Sequence, residues 1–248
     1  MKKRLTRFLP FLLAFTIALP SYSVFAEEEN QAKETQTNET NETQADETTA
    51  NDTLSLAAET AVLIDAASGE ILYDKDADKK MYPASITKLM TILLALENGK
   101  LTDEITFSHD AVYNIEPGSA HIAILEGETL TLEQVLRAII LRSANEASNG
   151  VAEYVDGSVE AFAKHMTERA KELGCTNTNF VNANGLFDEN HYTTAHDMAL
   201  IARELLKHEE YRSMMSETDY EIPNPYLAAA LEAFKTAPDA EPQFHLLL

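Results

Sequence analysis

The sequence predicts an α/β domain in which helices pack against antiparallel strands. Ala61-Val62-Leu63-Ile64-Asp65 and Glu70-Ile71-Leu72-Tyr73 are short apolar runs joined by Ala66-Ala67-Ser68-Gly69, a β-hairpin with Gly69 supplying the turn. Further on, apolar residues recur at helical spacing in three stretches: Leu132, Val135, Leu136, Ile139 and Ile140; Val159, Phe162, Met166, Ala170 and Leu173; Met198, Ile201, Leu205 and Leu206. The 248 residues are 45% hydrophobic, enough for a packed core in one sizeable domain or two small ones.

The chain divides into four parts. Residues 1–26 read as a signal peptide: Lys2, Lys3, Arg4 and Arg7 form a basic start, Phe8 to Leu19 an apolar run, and Val24-Phe25-Ala26 a cleavage site. The apolar run is too short for a comfortable transmembrane helix, and an uncleaved anchor is the alternative. Residues 27–56 are rich in Glu, Thr, Asn and Gln with almost no large apolar side chain, the composition of a disordered spacer. Residues 57–223 are the folded part and 224–248 an Ala-rich tail. The formal net charge of −22 argues against a nucleic-acid partner, which needs a basic footprint. Cys175, the single cysteine, cannot form an internal disulfide and reads as a small buried hydrophobe. Export without disulfides suits a bacterial envelope.

Within the folded part, Asp74 to Lys80 is a charged loop, and a helix starts near Ser85 and runs to about Asn98, with Gly99 as its C-cap. A loop-rich region extends through Gly118, followed by a short strand at His121 to Leu125. Thr131-Leu132-Glu133-Gln134 is a capping-box pattern opening a helix that delivers Ser143-Ala144-Asn145 at its end. Asn145 to Val155 and Ser158 to Leu173 are helical, the second stopped by Gly174. Asn177 to Tyr192 is irregular and Asn-rich. Thr194 caps a further helix ending near His208. His191 and His196 stand five apart across a helix start, poor spacing for a shared metal, and no Gly-rich phosphate loop occurs. No metal and no organic cofactor is expected.

The chemistry concentrates in Tyr82-Pro83-Ala84-Ser85-Ile86-Thr87-Lys88-Leu89-Met90-Thr91. Residues three apart share a helical face, so the Lys88 amine can reach the Ser85 hydroxyl. Serine is a poor nucleophile unless a neighbouring base activates it. Lysine is such a base only when neutral, which at pH 7 costs roughly 4–5 kcal/mol unless burial or nearby cations lower its pKa. The pair therefore implies a partly desolvated cleft. Alone, the spacing is weak evidence. Its company is Ser143-Ala144-Asn145, the only Ser-x-Asn in the chain, as Ser85 and Lys88 form the only Ser-x-x-Lys. This combination marks class A β-lactamases and penicillin-binding proteins, usually with a Lys-Thr-Gly element.

From Ala61 to about Pro223 the chain resembles the low-molecular-weight penicillin-binding proteins, serine-type D-alanyl-D-alanine carboxypeptidases of bacterial cell walls (peptidase family S11). Besides the two motifs, Ile64-Asp65, Ser68-Gly69-Glu70, Asn182-Ala183-Asn184-Gly185-Leu186 and His191-Tyr192-Thr193-Thr194-Ala195-His196-Asp197-Met198-Ala199 carry the resemblance in the right order. It implies a serine β-lactamase/transpeptidase-like fold. It also implies Ser85 as nucleophile, with its backbone N–H in the oxyanion hole, Lys88 as base, Ser143 as proton relay and Asn145 as substrate ligand and Lys88 positioner. The implied partners are peptidoglycan stem peptides ending in D-Ala-D-Ala and β-lactam antibiotics, with membrane contact only through an uncleaved leader or a C-terminal anchor. The third motif is absent. Lys235-Thr236-Ala237 is the nearest match, in a tail unlike the family, which makes Lys235 the candidate for its cation. The expectation is a truncation or frameshift after about Pro223, an incomplete sheet, and lower stability and activity than a full-length relative. The alternatives are a class A-like β-lactamase, against which stands the lack of a Glu-x-x-Leu-Asn element, and a degenerate wall-peptide-binding fragment.

Overall fold

A computed structural model describes residues 2–6 and 56–223. In chain order the elements are β1 (Lys2–Thr6), β2 (Ala61–Ile64), β3 (Ile71–Lys75), a 3-10 turn (Ala84–Thr87), α1 (Lys88–Asn98), β4 (Glu104–Thr106), α2 (His109–Tyr113), β5 (Thr129–Thr131), α3 (Leu132–Arg142), α4 (Asn145–Asp156), α5 (Val159–Glu172), α6 (Ala195–Leu205), α7 (Glu209–Met215) and β6 (Asp219–Pro223).

Helix α1 is the hub. Seven of its eleven residues are buried, Lys88 and Thr91 among them. A helix apolar on most of its circumference is stable only when surrounded, and α3, α4, α5 and α6 all pack on it. The three apolar stripes face this core: Leu132, Val135, Leu136 and Ile139 from α3, Phe162, Met166 and Ala170 from α5, Met198, Ile201 and Leu205 from α6. Ile140, Val159 and Leu173 reach it only partly buried, and Leu206 is exposed at the end of α6. Each of these helices starts on a side-chain cap. The Thr131 hydroxyl accepts from the Gln134 N–H while the Gln134 side chain accepts from the Thr131 N–H, which completes the capping box. Ser158 and Thr194 cap α5 and α6.

The strands are antiparallel throughout but form three two-stranded pieces instead of one sheet: β1–β6, β2–β3 and β4–β5. The hairpin has the expected turn. Gly69 is left-handed at φ +82°, and Asp65 Oδ1 accepts from the backbone N–H groups of Ala67 and Ser68. Arg203 of α6 donates to the carbonyls of Ala66 and Ala67 and ties the hairpin to the helices. Lys2–Thr6, the basic start of the expected leader, lies antiparallel to β6 in this chain. The leader's apolar run, the spacer, the tail and Lys235 lie outside the described residues.

Several local expectations are corrected. Strand β3 continues to Lys75, into the expected loop. The loop-rich region contains β4 and α2, the latter capped by Ser108. His121 to Leu125 is not a strand, because Ala123 turns left-handed at φ +58° and the flanking N–H groups of Ile122 and Ile124 go to the Glu146 carboxylate. Ser85 lies in the 3-10 turn ahead of α1, not inside an α-helix. Gly99 does end α1, but in an extended conformation. Crowding demands glycine there, since a Cβ would meet Leu132 Cδ2 at 2.8 Å and the Tyr154 ring at 2.9 Å.

Candidate active site

The 3-10 turn exposes the Ser85 hydroxyl while the next turn buries Lys88. Ala84, directly before Ser85, is left-handed at φ +48°, a conformation costing about 1–2 kcal/mol for a residue with a Cβ. Opposite, α3 ends with Ser143 as a left-handed cap at φ +55°, and α4 begins at Asn145. The Lys88 side chain projects between these two element starts.

Lys88 Nζ makes three close contacts. It donates to Asn145 Oδ1 at 2.7 Å and to the Asn184 carbonyl at 2.6 Å, and it lies 3.3 Å from Ser85 Oγ. A neutral amine has two N–H donors and one lone pair. The two short bonds go to pure acceptors, so the lone pair of a neutral Lys88 is left for the serine hydroxyl, which can donate a proton. Burial lowers the Lys88 pKa to about 8, against the opposing pull of Glu146. About one molecule in ten then carries the free base at pH 7.

Ser85, Lys88 and Ser143 line one cleft of about 370 Å³, whose apolar wall includes Ile86, Leu89, Ile140 and Met215. The Ser143 hydroxyl is buried and makes no hydrogen bond among the described residues. The structure thus brings together Ser85, Lys88, Ser143 and Asn145. Of the sequence-derived candidates only Lys235 falls outside the described residues.

Two parts of the site lie in stretches that carried the resemblance but were given no role from the sequence. The first is the 182–186 turn. Asn182 Oδ1 accepts from the N–H groups of Asn184 and Gly185, and Asn182 Nδ2 donates to the Leu186 carbonyl. Thr91 Oγ1 donates to the Ala183 carbonyl and Asn184 Nδ2 to Asn149 Oδ1. This Asx-turn chemistry aims the Asn184 carbonyl at Lys88. The second is His191, buried against Thr87. Its Nε2 lies 2.7 Å from Thr87 Oγ1 and its Nδ1 accepts from the Val181 N–H at 3.1 Å. A ring that accepts at Nδ1 is neutral there, and burial pulls its pKa down to about 4.

That value gives a stability prediction. The folded pKa lies below the unfolded value near 6.5, so the unfolded chain binds the proton first as pH falls. The contribution is intact above about pH 6.5, is lost between 6.5 and about 4, and changes no further below. The loss is about 3 kcal/mol. Urea denaturation across this range should show it, and His191→Gln should remove that part of the slope. Equal slopes would mean that His191 does not titrate differently on folding.

Cys175 and His196 are accounted for elsewhere. Cys175 is buried, its pKa pushed up to about 12 by burial and by Asp197, and its thiol donates to the Asp197 carbonyl. His196 faces Asp78 at 3.1 Å. Among the described residues no group of three or more His, Cys, Asp or Glu could hold a metal ion.

An exposed serine hydroxyl set against a buried lysine amine is the arrangement by which an adjacent base can activate a serine. The chain belongs to the D-alanyl-D-alanine carboxypeptidase family, peptidase family S11, whose signature matches residues 44–225. It is 43% identical over 161 residues to D-alanyl-D-alanine carboxypeptidase DacF of Bacillus subtilis, covering 63% of this chain and 41% of that protein. It is 37% identical over 160 residues to DacC of Escherichia coli, covering 61% and 40%. Penicillin binding protein 5 from Haemophilus influenzae superposes with a TM-score of 0.63 at 32% identity, over 73% of this chain and 56% of that one. The fold is that of the penicillin-binding proteins and transpeptidases. The chain spans about two fifths of the length of the curated relatives it matches.

Proposed function

We propose that the chain carries the acylating centre of a serine D-alanyl-D-alanine carboxypeptidase acting on peptidoglycan stem peptides. The observation that carries this is the Lys88 amine, desolvated and held by two short donor bonds with Ser85 Oγ at 3.3 Å. Ser85 Oγ attacks the carbonyl carbon of the D-Ala-D-Ala bond as its proton passes to Lys88. The Ser85 backbone N–H, at the start of the helical segment, donates to the developing oxyanion. Lys88 returns the proton through Ser143 to the departing D-alanine amine. Water then attacks the acyl carbonyl and frees Ser85. Asn145 serves twice, as a Lys88 ligand and as a donor to the substrate amide. A penicillin would acylate Ser85 by the same attack.

Export to the cell envelope completes the reading, since the substrate lies outside the cytoplasm. It is supported by the basic start and apolar run of residues 1–26. None of the described helices is long and apolar enough to cross a membrane. Removal of the leader would take β1 from beside β6.

The test is labelling with a fluorescent penicillin beside a Ser85→Ala control. Labelling of the parent chain that vanishes in the control is expected, together with D-alanine release from a D-Ala-D-Ala peptide. A folded chain that takes no label sinks the proposal. Rapid penicillin turnover would favour a β-lactamase, and peptide binding without turnover a degenerate binding fragment.

A further inference from the structure

We propose that His191 is a positioning residue for the Ser85 reaction: its ring clamps Thr87 to the chain leading into the 182–186 turn, and so sets the approach of Ser85 Oγ to Lys88 Nζ. The inference rests on the reading of Ser85 and Lys88 as nucleophile and base. Thr87 closes the 3-10 turn that carries Ser85 and stands at the N-cap of α1. A threonine there ordinarily accepts from a backbone N–H of the first helical turn. Thr87 makes no such bond. Its side chain is buried, and its hydroxyl meets His191 Nε2 at 2.7 Å instead.

The ring is itself fixed. His191 is 1% exposed and packs edge-on against Phe180, with ring centroids 5.5 Å apart. Its Nδ1 faces the Val181 N–H at 3.1 Å, so Nδ1 is the acceptor. The hydrogen-bond network thereby assigns the ring proton to Nε2, which donates to Thr87 Oγ1. The backbone after the ring is pinned on two sides: Tyr192 exchanges both bonds with Asn179, and Thr193 both with Met81. Val181 leads into the turn whose Asn184 carbonyl accepts from Lys88. One side chain therefore joins the two segments that must stay in register, the turn that presents Ser85 and the turn that holds its base. Thr91 also ties α1 to the Ala183 carbonyl, but one helical turn beyond Thr87. The Thr87 clamp acts closer to the serine, where a small slip changes the 3.3 Å between Ser85 Oγ and Lys88 Nζ.

The two bonds of the ring can be removed separately. The amide of His191→Gln reaches as far as Nε2 and keeps a donor for Thr87. That of His191→Asn stops near Nδ1 and keeps only an acceptor for Val181. Fluorescent-penicillin labelling at a series of penicillin concentrations separates the limiting acylation rate from the half-saturating concentration. His191→Asn is expected to lower the limiting rate about tenfold, within the roughly 10²-fold that a misplacement of about 1 Å can cost, with half-saturation unmoved. His191→Gln recovers most of that loss, whichever of the two variants melts lower. Thr87→Val loses a similar factor and Thr87→Ser recovers it, and this pair serves if the His191 variants do not fold. Combining Thr87→Val with His191→Asn slows acylation no further than either change alone. Rates that follow melting temperature alone, losses that multiply in the double variant, or a change confined to half-saturation would each overturn the proposal. A parent chain that takes no label sinks the reading of Ser85 and Lys88 as nucleophile and base, and the clamp is then read by NMR. The backbone amide signals of Ser85 and Ile86 move further from their parent positions in His191→Asn than in His191→Gln. Equal displacement in the two variants overturns the clamp whatever the activity.

Discussion

Lys88→Ala is expected to lower the rate of Ser85 acylation by about 10²–10⁴, the usual worth of a positioned general base. Lys88 is the one amine among the described residues that line the cleft with Ser85. Lys88→Arg makes the argument sharper. A guanidinium keeps the charge and can still donate toward Asn145 Oδ1 and the Asn184 carbonyl, but it does not deprotonate in a protein. It should therefore fold and stay as inactive as the alanine variant. In the parent chain the acylation rate should climb tenfold per pH unit below about 8 and level off above it, following the free amine. The same shift has a stability sign. The folded pKa lies below the unfolded value near 10.5, so the folded state is penalised by about 3 kcal/mol at pH values below 8, and the penalty fades as pH rises from 8 to 10.5. A fluorescent-penicillin time course from pH 5 to 10 with thermal melts of each variant checks all of this. A flat profile, or an arginine variant that acylates normally, would mean that another group takes the proton.

The Ser85–Lys88 pair was legible because its geometry is local. Ser85 and Lys88 lie within one turn, and Ser143 and Asn145 flank one helix junction, so spacing alone places them on the right faces. The carbonyl of Asn184 and the ring of His191 were not legible as site parts. They meet Lys88 and Thr87 from 96 and 104 residues away in sequence, and one of them acts through its backbone. The Asn182–Leu186 stretch was visible as a likeness, but its geometry depends on side-chain–backbone bonds that no periodicity reports. The expected strand at 121–125 failed because the N–H groups of Ile122 and Ile124 go to the Glu146 carboxylate, 24 and 22 residues further on, and Ala123 turns left-handed. The hairpin, the capping box and the three apolar stripes were readable because local propensity and tertiary burial agree there.

Gly185→Ala is expected to be the most damaging single-methyl change in the site. Gly185 is left-handed at φ +87°, and a Cβ there would sit 1.9 Å from the Ala84 carbonyl oxygen and 3.0 Å from Thr87 Oγ1. No rotamer relieves a clash with backbone. The conformational strain costs about 1–2 kcal/mol and the forced separation about 1–3 kcal/mol more. Both segments pressed apart matter to the chemistry. On one side Ala84 leads directly into Ser85; on the other, the 182–186 turn carries the Asn184 carbonyl that holds Lys88 at 2.6 Å. A displacement of about 1 Å between reacting groups can cost about 10²-fold in rate. Gly185→Ala should thus lose about 2–5 kcal/mol of stability and acylate far more slowly even where it remains folded, in the cold or with stabilising osmolyte. Gly118→Ala is the matched control. Gly118 is also left-handed, at φ +81°, but nothing lies within 4 Å of its added Cβ. It should show the strain cost alone. Equal melting temperatures and equal acylation rates for the two variants would show that the contact between Gly185 and Ala84 does not hold the nucleophile and its base in register.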